Sequence, residues 1–76
     1  MTFEQIEKET AAIIAEMKNC IAEEERYPAK SANYGAYKER LVAALKLQSD
    51  IDEAKKIKAP ANILEFELEE LKTLIY

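Results

Sequence analysis

The chain has 76 residues, a net charge of −4, a single cysteine and no histidine. A domain this short buries a modest share of its unfolded surface and normally needs a disulfide, a metal or partner subunits. One thiol without histidine supplies neither an internal disulfide nor a structural zinc site, so self-association is the expected route to stability.

The first helix is predicted over residues 3–25. Thr2 is a good N-cap, and Gln5 three residues later completes a capping box. Phe3, Ile6, Thr10, Ile13, Met17 and Cys20 then step 3-4-3-4 into a heptad seam. Ile14 and Ile21 widen this seam to one side, which implies contact with more than one neighbour. Residues 26–33 break the pattern: Pro28 disfavours helix at Tyr27, and Ser31 or Asn33 is expected to cap the next helix.

The second helix is predicted over 34–58, with Tyr37, Leu41, Ala44, Gln48 and Ile51 as its central stripe. Leu45 and Leu47 stand on opposite shoulders, a broad apolar face suited to a middle helix. Gln48 in this stripe, and Thr10 in the first helix, are expected to be buried polar residues that set register. Pro60 interrupts the chain, and Asn62 with Glu65 reads as a second capping box. The third helix, over 63–76, is expected to bury Leu64, Leu68, Leu71 and Ile75. Phe66 falls opposite that stripe.

These elements predict an all-α fold and one small helical domain spanning residues 1–76. Two arrangements meet the pattern. Either the chain reverses at Pro60 into an antiparallel three-helix bundle, or helices two and three stay collinear across a kink as an extended helical hairpin. Both are expected to assemble into a homo-oligomer, with Ile63, Phe66 and Tyr76 as its interface.

Charge is distributed unevenly. Residues 1–25 hold seven glutamates against Lys8 and Lys18, and residues 59–76 hold four glutamates against Lys72. Between them, residues 26–40 carry Arg26, Lys30, Lys38 and Arg40 against Glu39 alone. Opposite signs on neighbouring helices assist pairing modestly.

The same 26–40 segment holds three of the four tyrosines and the only glycine, Gly35. It precedes a helix N-terminus, where free N–H groups and the dipole favour anions. Tyrosine stacks on bases and lysine or arginine meets phosphate, so Arg26, Tyr27, Lys30, Asn33, Tyr34, Tyr37, Lys38 and Arg40 form the candidate ligand site. The competing reading is structural: Tyr34 and Tyr37, three apart, close the end of the bundle.

Catalysis is not expected. Without histidine the commonest base is missing, and Cys20 falls on the apolar seam with no adjacent cation to activate it. The carboxylates have helix-surface spacing, and neither a phosphate-binding glycine loop nor a calcium-binding loop is present. No metal and no cofactor is expected. The N-terminal residues lack the pattern of a signal peptide, no apolar run reaches membrane-spanning length, and a lone cysteine suits a reducing compartment, so a cytoplasmic location is expected.

The expected function is therefore that of a non-catalytic helical interaction protein, acting stoichiometrically as an adaptor or inhibitor of another protein. The alternative is a small-molecule binding module that sequesters an anionic, nucleotide-type ligand through the 26–40 segment. A third reading, an acidic mimic of nucleic acid, rests on the glutamates of the outer helices. Binding to duplex nucleic acid or to a membrane surface is not expected, because acidic helices dominate the surface.

Overall fold

The computed structural model describes residues 1–75, with side chains through Leu74. Three helices, α1 (Phe3–Glu25), α2 (Tyr34–Lys56) and α3 (Asn62–Ile75), make up the described residues together with their connections. The first begins at the expected capping box: the Gln5 amide donates to Thr2 Oγ1 at 3.2 Å, and the Thr2 amide donates to Gln5 Oε1 at 2.9 Å.

α2 ends two residues before the predicted boundary. The Ala59 amide reaches back to the Ala54 carbonyl at 2.9 Å and the Lys58 amide to the Lys55 carbonyl at 3.3 Å, while Lys58 takes a left-handed φ of 58°. This is a complete Schellman termination, with lysine at the position where glycine is usual. It turns the chain back before Pro60 is reached, so the kinked hairpin is excluded and the fold is a three-helix bundle.

Pairing along the helices gives its direction. The Met1 amino group meets Glu65, and Lys72 Nζ meets Glu9 Oε1 at 2.8 Å, so α3 runs parallel to α1 and antiparallel to α2. At 1.5 Å per residue α1 and α2 are each about 35 Å long and α3 about 21 Å. The molecule is accordingly elongated, 46 × 19 × 15 Å. Its third helix covers one half of the α1–α2 hairpin, and the end bearing residues 26–33 projects beyond it.

The core comprises Ile6, Ile13, Ile14 and Met17 of α1, Ala44, Leu47, Ile51 and Ala54 of α2, and Leu64, Leu68 and Leu71 of α3. The predicted seams of α1 and α3 are therefore present; the expectation for Ile75 lies outside the described side chains. In α2 the stripe differs. Leu47 is buried and Gln48 exposed, because both follow Ala44 by one turn and burying the amide without a partner is costly.

Neither polar residue sets register. Thr10 is buried, but its hydroxyl donates to the Ile6 carbonyl of its own helix at 2.7 Å. Asn33 occupies the N-cap position of α2 without a side-chain capping bond, and Ser31 is engaged by Glu24 instead. The second capping box is also not formed as expected. Asn62 lies inside the first turn of α3, and Glu65 is drawn to the amino terminus.

Candidate functional site

The connection between α1 and α2 is held by carboxylates from the end of α1. Ser31 donates from its amide at 2.8 Å and from its hydroxyl at 2.6 Å to the two oxygens of Glu24. These bonds to the charged form hold the Glu24 carboxyl below its ordinary value, with nearby Lys30 adding a smaller effect. The neighbouring Glu25 accepts from the Tyr34 hydroxyl at 3.1 Å.

The basic side chains gather on tyrosine rings. Lys38 Nζ lies 4.5 Å and Lys30 Nζ 5.8 Å from the Tyr34 ring centroid, within cation–π range. Lys30 also donates to the Tyr27 carbonyl at 2.6 Å. One turn further along α2, the Arg40 guanidinium lies 6.0 Å from the Tyr37 ring, which itself packs half-buried against the core.

The predicted residues thus divide. Lys30, Tyr34 and Lys38 converge; Tyr37 with Arg40 forms a second stacked pair. Arg26 caps the end of α1 and meets Glu23 at 3.4 Å, Tyr27 is exposed, and Asn33 contributes its backbone. Glu24 and Glu25 belong to this cluster and were not among the sequence candidates. Their signal was present: three consecutive glutamates end a helix immediately before a basic loop.

A second region lies on α3. Phe66 is 76% exposed on the side facing away from the Leu64–Leu68–Leu71 core stripe, while Ile63 and Leu74, each 58% exposed, lie on the flank of that stripe. A shallow groove runs between α3 and α2. Its floor is Ala43, Leu47, Leu71 and Leu74, and its walls are Lys46, Glu67 and Glu70. Partial burial raises the Glu67 carboxyl above its ordinary value; a hydrogen bond with Asp50 and the Asp50 charge add to this. Val42, one turn before Lys46, is 66% exposed. Of the predicted interface, Ile63 and Phe66 are therefore exposed, while Tyr76 lies outside the described residues. Leu74 and Val42 are further exposed apolar residues that the sequence reading did not single out.

Four clefts among the described residues measure about 170 to 240 Å³ each. Drug-sized ligands generally occupy about 300–1,000 Å³. Among the described residues, no cluster of His, Cys, Asp and Glu is arranged to hold a metal ion. Cys20 is half-buried, and no described helix is long and apolar enough to cross a membrane. No family model matches the chain, and no curated protein or solved structure is significantly similar to it.

Proposed function

We propose that this chain is a non-catalytic helical interaction protein, assembled as a homo-oligomer and acting stoichiometrically as an adaptor or inhibitor of another protein. The observation that supports it is the exposure of Phe66 on the outward side of α3, with Ile63 and Leu74 of the same helix also exposed. Aromatic residues dominate protein interfaces, and a chain with so small a core gains from burying such side chains. The shallow clefts offer no comparable enclosure for a substrate.

Native mass spectrometry of gently purified protein tests this reading. The expected result is an integral number of chains, alone or with a second protein at fixed ratio, that dissociates on Phe66→Asp. A bare monomer unchanged in mass and stability by that substitution would remove the proposal.

A second reading draws on the convergence of Lys30 and Lys38 on Tyr34, at the start of a helix that lacks a side-chain cap. It is a module that sequesters an anionic, nucleotide-type ligand at residues 26–40. The Glu24 carboxylate now takes the Ser31 donors that such a ligand would use. Extra mass of nucleotide size in the same spectrum would favour this reading over the first.

A further inference from the structure

α3 lies in a groove on one side of the α1–α2 seam. Leu64, Leu68 and Leu71 are buried there, Lys72 Nζ meets Glu9 Oε1 at 2.8 Å, and the Met1 amino group meets Glu65. The other side of the seam is lined by Glu7, Gln48 and Asp52 as well as Ala11, and among the described residues α3 contributes none to it. The covered groove is therefore the seat that matches α3.

The connection that holds α3 in that seat is short and strained. It runs over residues 57–61, between α2 ending at Lys56 and α3 beginning at Asn62. Lys58 takes a φ of 58°, a region that a residue with Cβ enters at a cost. The helical pattern of α2 continues to Lys58, so the turn also truncates that helix by two residues. Opening the turn relieves both. Lys58 returns to helical φ with its amide on the Ala54 carbonyl, and Ala59, before Pro60, takes the extended backbone which that position prefers. The opened chain is the extended helical hairpin. A 14-residue α3 is marginal by itself in water, so once released it needs an equivalent seat.

We propose that α3 exchanges between two copies of this chain: the covered groove of each copy receives the α3 of the other, with residues 57–61 as the hinge. The proposal rests on the oligomeric reading above, makes its unit a two-fold dimer and keeps Phe66 on the outer surface. The occupant is fixed by contacts already present, because every pair that closes α3 onto α1 re-forms between chains. A short hinge under strain is what favours such an exchange. Extended, the connection reaches about 20 Å, so the two α2 C-termini must lie within that distance. Ile57 and Ile63, both exposed, flank the hinge and are brought toward their counterparts. Lys56 and Lys58 oppose this meeting, since each approaches a like charge, and Glu53 offsets one of them. The dimer should therefore strengthen with salt.

Isotope mixing tests this. Light and heavy-nitrogen chains, both carrying Phe66→Asp, are unfolded together, refolded at high concentration and separated by size. That substitution removes the Phe66 contact, so the two readings fail separately. The dimer is treated with a carbodiimide, which joins a carboxylate to an amine in direct contact. Exchange predicts Glu9–Lys72 cross-links between a light and a heavy peptide, whereas the Glu7–Lys55 cross-link within the hairpin stays single-isotope. Lys58→Gly relieves the closed turn in both copies, at about a factor of five each, and should weaken the dimer roughly 25-fold. A dimer whose Glu9–Lys72 cross-links are all single-isotope would overturn the exchange in favour of side-by-side packing. Monomer alone after concentrated refolding would overturn it as well.

Discussion

The Ala59 amide donates to the Ala54 carbonyl at 2.9 Å, closing α2 around Lys58 in the left-handed region. This six-residue loop of backbone reverses the chain and directs α3 along the hairpin. A residue with Cβ is strained in that conformation by about 1 kcal/mol or somewhat more, whereas glycine is not. Lys58→Gly should therefore stabilise the bundle by about 1 kcal/mol. The check is the midpoint of urea unfolding, which should rise with an unchanged slope.

Leu68 and Thr10 are both buried, yet they should respond differently to substitution. Leu68→Ala leaves a cavity at the most deeply buried of the three α3 core leucines, and about 2–5 kcal/mol is expected to be lost. In a domain this small that loss should unfold much of the population at ambient temperature. Thr10→Val removes a hydroxyl whose only partner is the Ile6 carbonyl of its own helix, so stability should stay within about 1 kcal/mol of the parent. Thermal unfolding followed by circular dichroism separates the two.

Glu24 and Glu67 should titrate in opposite directions from the ordinary glutamate value. Bonds from Ser31 lower the folded value for Glu24, so its contribution is present above the unfolded value and is lost as pH falls through the folded one. Burial and Asp50 raise the folded value for Glu67. Its contribution is fully present below the unfolded value and is lost as pH rises through the raised one. Glu67→Gln should consequently increase stability at neutral pH and leave it unchanged in acid. Carboxyl titration by NMR should show Glu24 deprotonating first.

The Tyr34 cluster makes a separate prediction for anion binding. If residues 26–40 hold a nucleotide, Glu24→Gln should tighten binding of a nucleoside monophosphate by removing a like charge from the loop. Tyr34→Ala should abolish binding without loss of helicity. Calorimetric titration showing no heat with either the parent or Glu24→Gln would exclude the site.

Helix positions and most of the core were legible in the sequence, because both depend on local regularities. Thr2 and Gln5 signalled the start of α1, and the 3-4 spacing of Ile6, Ile13 and Met17, or of Leu64, Leu68 and Leu71, marks a buried face whatever covers it. In α2 the same spacing was ambiguous. Leu47 and Gln48 both satisfy it after Ala44, and only packing against two neighbours settled which turned inward. Capping by Ser31 and Asn33 did not form for a similar reason: Glu24, seven residues before Ser31, accepts from the Ser31 amide and hydroxyl and holds that side chain at the end of α1.

The 26–40 segment stood out by composition, and its cations do gather on tyrosines. The carboxylates that accept from Ser31 and Tyr34 come from the end of α1; the run of three glutamates marked them in the sequence, but which donor each one meets depends on the tertiary arrangement. The sequence by itself thus determined three amphipathic helices, their apolar faces and a charge-segregated chain. Tertiary structure alone decided the reversal at Lys58, the partners of each carboxylate, and which side of the α1–α2 seam α3 leaves open. Those outcomes depend on which distant groups meet, and spacing along one helix carries no information about its neighbours.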